Sequence, residues 1–281
     1  MKYNLSFIDK IHQSHQQCPD CPSPRIVQEF FEGVLGVLFP EYAVKVLKDG
    51  GEIEDRLHFY QAELEGILGR NRKLIDCDSR SVAAQFFEQL STVFDAIHED
   101  IDAMYAGDPA AKSRTEVIRS YPGFYAIAAY RLAHQLHKLG VALIPRMITE
   151  FAHSKTGIEI HPGAKIGSNF CIDHGTGIVI GETTVIGNHV KIYQGVTLGA
   201  LSVNKEDADL KRHPTIEDGV VIYAGATILG GNTVIGAESI VGGNVWLTKS
   251  IPAKSKIYYQ TRMYDASGET NDIYVFKHGA S

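Results

Sequence analysis

The sequence lacks the features that mark membrane, secreted and nucleic-acid-binding proteins. None of its apolar runs approaches the roughly 20 residues that a membrane-spanning helix needs. Residues 1–6 contain neither the apolar run nor the small-residue cleavage site of a signal peptide. The formal net charge is −6, and acidic and basic residues are interspersed without a basic stripe. We therefore expect a cytoplasmic protein that binds neither membranes nor nucleic acid.

Cysteine is also scarce, with four residues in the chain of 281. Cys18 and Cys21 have C-x-x-C spacing, but a tetrahedral zinc site needs two more ligands at matching spacing, and no second C-x-x-C follows. We interpret the pair as free thiols in an N-terminal extension, residues 1–23, with a weak metal or redox site as the alternative. A chain of this length can build its core without a metal, and we expect none.

Residues 24–154 have the pattern of an α-helical domain. Apolar residues recur at three- and four-residue steps in three runs, which cover residues 27–38, 57–68 and 82–101. Asp49-Gly50-Gly51 is interpreted as a stop between the first two runs. Two more helices fit residues 125–139 and 141–153, with Gly140 at the joint.

Residues 155–257 have a different period, because aliphatic residues recur at every sixth position. These ladder residues are Ile160, Ile166, Ile172, Ile180, Ile186, Ile192, Leu198, Ile216, Ile222, Ile228, Ile235, Val241 and Leu247. A helix would move each of them by about 240° around its surface, since one turn takes 3.6 residues. A strand has period two, so a six-residue period requires short strands with bends between them. The period predicts a three-sided parallel β-helix, with about 18 residues in each rung.

The ladder is interrupted at defined places. One step is eight residues long across Gly175-Thr176-Gly177, and another is seven at Gly230-Gly231. Residues 201–213 carry many charges, cannot fill the prism and are predicted to form an external loop. A tail, residues 258–281, follows the last rung. The fold class is therefore α+β, with a helical domain followed by a β-helix.

The ladder resembles the hexapeptide-repeat acyltransferases, and several motifs resemble serine acetyltransferase within that superfamily. They include Gly107-Asp108-Pro109-Ala110, Gly123-Phe124-Tyr125, Glu159-Ile160-His161-Pro162, Ile172-Asp173-His174-Gly175-Thr176-Gly177, Gly181-Glu182-Thr183, Gln194-Gly195-Val196-Thr197-Leu198-Gly199 and Lys211-Arg212-His213-Pro214. The resemblance covers about residues 80–257. It implies a left-handed β-helix, acetyl-CoA as co-substrate, L-serine as acceptor, and a homotrimer or a dimer of trimers. The reaction would be the first step of cysteine synthesis, and cysteine would compete at the serine pocket.

Acetyl transfer to a hydroxyl needs a base, and His174 is the candidate. An imidazole titrates near neutral pH, so it can accept the hydroxyl proton and return it to the leaving thiolate. Glu159 precedes His174 by fifteen residues, which is close to one rung. We therefore expect Glu159 on the adjacent rung, where its carboxylate would fix the tautomer of the imidazole.

The resemblance implies an acceptor pocket around these two residues. Asp108 and Asp173 would pair with the serine ammonium, and Arg212 would bind the serine carboxylate. His213 would lie beside the substrate, as a donor or as a polar wall, and Glu182 would shape the site. For Asp108 the alternative is a helix N-cap, because a proline follows it.

The resemblance also implies that CoA lies outside the prism, between neighbouring subunits. Ala200, Ala224 and Gly243 match backbone contact positions for CoA, although small residues also suit corners. Trp246 is interpreted as a packing residue. Familiar members have Asp at the position of Glu159 and end in isoleucine, which inserts into O-acetylserine sulfhydrylase. This sequence ends at Ser281, so the resemblance does not extend to that complex.

Three alternatives remain open from the residues. A related acetyltransferase could act on another hydroxyl, in homoserine, a sugar or an antibiotic. A β-helix of this kind could also be a scaffold that has lost catalysis. A carbonic-anhydrase-like β-helix would need three histidines on zinc. The candidates for those ligands are His153, His161, His174, His189 and His213.

Overall fold

The computed structural model describes residues 3–17, 22–70, 78–201, 210–258, 262–264 and 270–273. The first half of the chain is helical. Its helices are α1 (Leu5–Gln17), α2 (Pro24–Leu38), α3 (Gly50–Arg70), α4 (Ser79–Glu88), α5 (Leu90–Gly107), α6 (Arg114–Ser120), α7 (Pro122–Lys138) and α8 (Ile144–Thr156), with a short 3-10 helix at Pro40–Tyr42. The C-x-x-C pair, Cys18 and Cys21, lies outside the described residues.

The helices differ from the prediction at several points. The run at 82–101 is divided between α4 and α5 at Gln89, and neither α1 nor α6 was predicted. The stop expected at Asp49-Gly50-Gly51 is wrong, because α3 begins at Gly50. The Asp49 carboxylate accepts a hydrogen bond of 2.9 Å from the backbone N–H of Glu52, so this aspartate stabilises a helix start.

The second half is the parallel β-helix that the six-residue period predicted, and the fold class is confirmed. Within the described residues, fourteen short strands form its three faces. Sheet A contains β1 (Glu159–Ile160), β4 (Val179–Ile180), β7 (Thr197–Gly199), β10 (Thr227–Leu229) and β13 (Trp246–Leu247). Sheet B contains β2 (Lys165–Ile166), β5 (Val185–Ile186), β8 (Thr215–Ile216) and β11 (Val234–Ile235). Sheet C contains β3 (Cys171–Asp173), β6 (Lys191–Tyr193), β9 (Val221–Ile222), β12 (Ile240–Val241) and β14 (Lys256–Ile257).

The ladder residues point into the prism and stack rung upon rung. All of them are buried except Ile166 and Leu247, which are half-buried. The rungs differ in length, however. Ile160 pairs with Ile180, twenty residues later, whereas Ile180 pairs with Leu198, only eighteen residues later. Extra residues are therefore accommodated at the corners, and the aliphatic column stays in register.

Three rows of corners join the sheets, and two of these rows share a left-handed backbone geometry. At the B–C corner, which leads from sheet B to sheet C, one residue of each rung has a positive φ. These residues are Asn169, His189, Gly219, Glu238 and Lys254. At the C–A corner the corresponding residues are Gly177, Gly195, Gly225 and Asn244, and Gly157, the C-cap of α8, precedes the first strand with the same conformation. The left-handed conformation turns the chain sharply, which closes each rung.

A buried ion pair fixes the helices to the first rungs. Arg131 of α7 donates to both carboxylate oxygens of Asp100 on α5, at 2.9 and 3.0 Å, and also to the carbonyls of Ile166 and Gly167. Asp100 accepts a further bond of 2.8 Å from the backbone N–H of Phe170. The end of α5, at Gly107, is thereby held beside sheet C.

The remaining described parts are short. Residues 262–264 and 270–273 form an antiparallel strand pair in the tail, β15 (Arg262–Tyr264) and β16 (Thr270–Ile273). Residues 202–209, most of the predicted external loop, lie outside the described residues. Among the helices that the structure describes, none is both long and apolar enough to cross a membrane.

Candidate active site

His174 lies on an insertion that lengthens the first rung by two residues. His174 and Gly175 both have positive φ, 58° and 100°, and they precede Gly177, the regular residue of the C–A corner. The insertion pushes the imidazole out of the prism, so that 70% of the side chain is exposed. The eight-residue step in the ladder therefore marks the point where a titratable ring is presented to solvent.

Asp173 lies under His174 at the end of β3. Its Oδ1 atom is 3.7 Å from Nε2 of His174, and its Oδ2 atom is 2.8 Å from Nζ of Lys191 on the neighbouring strand β6. The Asp173 side chain is 13% exposed. One carboxylate oxygen is thus held by a lysine while the other lies on the side of the imidazole.

Asp108 follows α5 and lies near the same corner. Its Oδ1 atom accepts a bond of 2.8 Å from the N–H of Ala110, and its Oδ2 atom accepts from the hydroxyl of Tyr121. The Tyr121 hydroxyl, followed by the Ala110 N–H, holds the pKa of Asp108 below its usual range. The same bond raises the pKa of Tyr121 to about 12. The N-cap alternative for Asp108 is wrong, because the next helix is capped by Ser113.

Glu182, Arg212 and His213 lie at the A–B corner, which leads from sheet A to sheet B. Arg212 donates from its guanidinium to the carboxylate of Glu182. Although burial acts to raise it, Arg212 and His161 together hold the pKa of Glu182 below its usual range. The end of the external loop is fixed here, because the Lys211 ammonium donates to the carbonyls of Thr183 and His213 at 3.1 and 2.7 Å.

His213 is held by Thr183 in a single orientation. The Nδ1 atom of His213 accepts a bond of 3.1 Å from the backbone N–H of Thr183, and the Thr183 hydroxyl lies 2.9 Å away. Burial lowers the pKa of His213 to about 4, so the ring is neutral at neutral pH. Because Nδ1 is an acceptor, the proton of the neutral ring lies on Nε2. His213 is therefore a hydrogen-bond donor.

Glu159 does not contact His174 in the part of the chain that the structure describes. Its carboxylate accepts from Arg146 of α8 at 3.1 Å, on the outer face of sheet A. The carboxylate within ion-pair distance of the His174 imidazole is that of Asp173. The expected contact between Glu159 and His174 is therefore not made within the single chain.

The three candidate CoA positions are also divided between corners. Ala224 and Gly243 are neighbours at the C–A corner, where a Cβ on Gly243 would lie 3.2 Å from the carbonyl oxygen of Ala224. Ala200 follows β7, at the A–B end of sheet A. Trp246 is 66% exposed on the outer face of sheet A, so its interpretation as a packing residue is wrong.

The candidate residues thus form two groups at opposite ends of sheet A. The C–A group contains Asp108, Asp173, His174, Ala224 and Gly243, and the A–B group contains Glu182, Ala200, Arg212 and His213. Sequence reasoning missed three residues that position these groups, namely Tyr121, Thr183 and Lys191. Thr183 was part of the Gly181-Glu182-Thr183 motif but had no role assigned, and Lys191 was a charged residue at an outward position next to a ladder isoleucine. Tyr121 carried no signal in the sequence.

The histidines do not converge on a metal. Among the described residues, no group of three or more histidine, cysteine, aspartate or glutamate side chains has the arrangement of a metal site. His161 closes its own corner, with Nδ1 accepting a bond of 3.0 Å from the N–H of Gly163. His174 lies at another corner, as the order of the strands requires.

Comparisons with known proteins identify the chains that this one resembles. A family model for "Serine acetyltransferase, N-terminal" matches residues 70–129. A plasmid serine acetyltransferase of Synechococcus elongatus is 54% identical over 177 residues, which cover 61% of this chain and 55% of the relative. The serine acetyltransferase of Bacillus licheniformis is 53% identical over 132 residues, which cover 47% of this chain and 59% of the relative. The chain thus spans less than two thirds of these two relatives.

A solved structure extends the similarity over most of the chain. Serine acetyltransferase 1 of Entamoeba histolytica, in complex with L-cysteine, superposes with a TM-score of 0.74 at 35% sequence identity. The superposition covers 82% of this chain and 86% of that one. It includes a helical first half and a β-helix in the same order.

Proposed function

The chain belongs to the serine acetyltransferase family, and from this premise we propose that it transfers the acetyl group of acetyl-CoA to the hydroxyl of L-serine. The products are O-acetyl-L-serine and CoA. The observation that carries the proposal is the exposed imidazole of His174, raised on a two-residue insertion beside the carboxylates of Asp108 and Asp173. A cytoplasmic location stays a prediction.

His174 acts as the general base. Its free ring nitrogen takes the proton of the serine hydroxyl while the oxygen attacks the thioester carbonyl carbon. The tetrahedral intermediate collapses, the carbon–sulfur bond breaks, and the imidazolium returns the proton to the CoA thiolate. A base of this kind contributes about 10²- to 10⁴-fold to the rate.

The acceptor is held by opposite charges at its two ends. Asp108 and Asp173 receive the ammonium, because both are acceptors on the side of His174. Arg212 receives the carboxylate, and Glu182 aligns the guanidinium through the bond between them. His213 adds a neutral donor, since its Nε2 atom carries the proton. Cysteine carries the same ammonium and carboxylate, so we expect it to compete with serine.

The active site is completed between copies of the chain. His174 and the two aspartates lie at the C–A corner, while Arg212 and His213 lie at the A–B corner of the same chain. One serine is too small to bridge the width of sheet A. A homotrimer, in which the C–A corner of one copy faces the A–B corner of the next, brings both groups to one substrate. The association of two trimers stays a prediction.

Acetyl-CoA occupies the same cleft between copies. Ala224 and Gly243 of one copy and Ala200 of the next offer small residues and backbone to the pantetheine arm. The proposed support of His174 by Glu159 requires Glu159 to leave Arg146 or to act on the His174 of a neighbouring copy.

The acceptor is tested by measuring the release of CoA thiol from acetyl-CoA in separate assays with L-serine, homoserine and a galactoside. We expect turnover with serine and little with the others. Turnover of a galactoside or homoserine without turnover of serine would establish the alternative reading, an acetyltransferase for another hydroxyl. Absence of turnover with all three would favour a non-catalytic scaffold.

A further inference from the structure

Lys191 contacts Asp173 and the backbone next to Asp108 at the C–A corner, and the reaction outlined above does not use it. It projects outward from β6, next to the ladder residue Ile192, and its side chain is only 17% exposed. Its ammonium is 2.8 Å from Oδ2 of Asp173. It is also 4.6 Å from the centre of the Tyr193 ring. A lysine this deeply packed loses rotamer freedom, which requires compensating contacts.

The second contact of Lys191 reaches the helical domain. Its ammonium donates to the carbonyl of Gly107 at 2.7 Å. Gly107 is the last residue of α5 and directly precedes Asp108. A single side chain therefore fixes Asp173 of the β-helix and the turn that carries Asp108.

The contacts of Lys191 leave a ligand position open. The ammonium holds Oδ2 of Asp173, so Oδ1 stays on the side of His174. The oxygens of Asp108 are oriented by Ala110 and Tyr121. Two carboxylates facing one small ligand repel each other, and the half-buried ammonium of Lys191 beside them offsets that repulsion. The carboxylates of Asp108 and Asp173 and the ammonium of Lys191 sum to one negative charge, which matches one ammonium group.

We propose that Lys191 is a positioning residue for the acceptor, which holds Asp173 and the Asp108 turn at the spacing of a single α-ammonium group. The inference rests on the proposed function, because it takes these two carboxylates as the ammonium site. Lys191 itself touches neither the hydroxyl nor the thioester. Its loss therefore affects the binding of the amino acid more than the chemical step or the binding of CoA.

The test compares Lys191→Met with wild type and with a matched control, Lys254→Met. Lys254 also forms an ion pair in the β-helix, at 3.6 Å from Glu238, but it lies at the B–C corner. For Lys191→Met we expect the KM for serine to rise about tenfold or more, with kcat changed less than about threefold. The dissociation constant for CoA should be unchanged, and Lys191→Arg should recover part of the loss. Lys254→Met should leave all three constants at wild-type values.

Several results would overturn the proposal. One is an unchanged or lowered KM for serine in Lys191→Met. Another is an equal loss of serine and CoA affinity together with a lower melting temperature, which would make the lysine a purely structural residue. If Lys191→Met does not fold, the KM for serine and the kcat of Lys191→Gln and Lys191→Arg are measured instead. A rise in KM without a matching fall in kcat supports the proposal, and its absence overturns it.

Calorimetric titration of L-serine and L-cysteine separates this inference from the proposed function. If the wild-type protein acetylates serine and Lys191→Met binds serine with equal affinity, the role of Lys191 is refuted and the proposed function is not. A wild-type protein that neither binds nor acetylates serine refutes the proposed function, and the role of Lys191 with it.

Discussion

The ring of His213 lies directly against the backbone of Gly181. A Cβ atom on Gly181 would come within 2.0 Å of Cδ2 and 2.1 Å of Nε2 of the imidazole. Gly181 follows β4, on the rung before His213, and its φ is not in the left-handed region. The glycine is therefore required by the neighbouring ring and not by its own backbone conformation.

Replacing Gly181 by alanine tests whether the position of His213 matters for the acceptor. The new methyl group forces the ring away from Thr183, so we expect kcat/KM for serine to fall at least about tenfold. Overpacking should also lower the free energy of unfolding by about 1–3 kcal/mol. Gly66→Ala is the control, because a Cβ there meets nothing within 4 Å. That helical change should stabilise by about 0.5–1 kcal/mol at full activity.

Replacing His174 by alanine should lower kcat at least about 10²-fold with little effect on CoA affinity, because the base is lost. His189 provides a matched control. It is also an exposed histidine at a corner with positive φ, 55°, but it lies at the B–C corner. His189→Ala has the same backbone cost, so it should lose stability without losing turnover. Equal turnover in both variants would remove His174 from the mechanism.

Mixing two inactive variants tests whether the site is shared between copies. His174→Ala removes a side chain of the C–A group, and Arg212→Ala removes a side chain of the A–B group. In trimers assembled from equal amounts of both chains, about a quarter of the sites would combine an intact His174 with an intact Arg212 from the neighbouring copy. We expect recovery of about a quarter of wild-type activity after unfolding and refolding the mixture. No recovery would mean that each chain carries a complete site.

Stability should fall as the pH drops from about 6.5 to 4. Burial lowers the pKa of His161 and of His213 to about 4, whereas an unfolded histidine titrates near pH 6.5. Between these values the unfolded chain binds more protons than the native one, so protonation favours unfolding. The slope is at most about 1.4 kcal/mol per pH unit for each group.

The variant His161→Asn isolates one of these two contributions. Asparagine can still accept the N–H of Gly163 but does not titrate. Melting temperatures measured from pH 7 to 4.5 should decrease less steeply in the variant than in the wild type. Parallel curves would show that the pKa of His161 is the same in the native and the unfolded chain, which would contradict the effect of burial.

The pair of Asp100 and Arg131 should be a large contributor to stability. Asp100 is fully buried and Arg131 is 11% exposed, so Arg131→Met leaves an uncompensated carboxylate in the interior. We expect a loss of about 3–5 kcal/mol in the free energy of unfolding, measured with denaturant. The exposed pair of Arg114 and Asp102 is the control. Arg114→Met should cost less than about 1 kcal/mol.

The β-helix could be predicted from the sequence because each six-residue repeat contains one residue that faces the interior. The inward residue must be aliphatic in every rung, so the signal repeats along the chain and does not depend on distant contacts. The eight-residue step also matches the corner insertion that carries His174, since an extra pair of residues can leave a regular coil only at a corner. Helix ends were predicted less well, as Asp49-Gly50-Gly51 shows, because aspartate and glycine occur at starts as well as stops.

The positioning of the site residues could not be predicted in the same way. Lys191 contacts Gly107, 84 positions away in the sequence, and no local pattern contains that contact. The expected neighbours Glu159 and His174 are separated because the spacing gives the rung but not the direction of a side chain. Trp246 is apolar yet exposed, which one chain considered alone does not explain.

The unequal rungs have a consequence for how such a molecule can change. In the part of the chain that the structure describes, length is added at corners, as at His174 and Gly175, while the inward aliphatic residues keep their partners. Reactive groups can therefore be inserted, lengthened or exchanged without redesigning the interior. A scaffold with this property separates the evolution of its chemistry from the evolution of its stability.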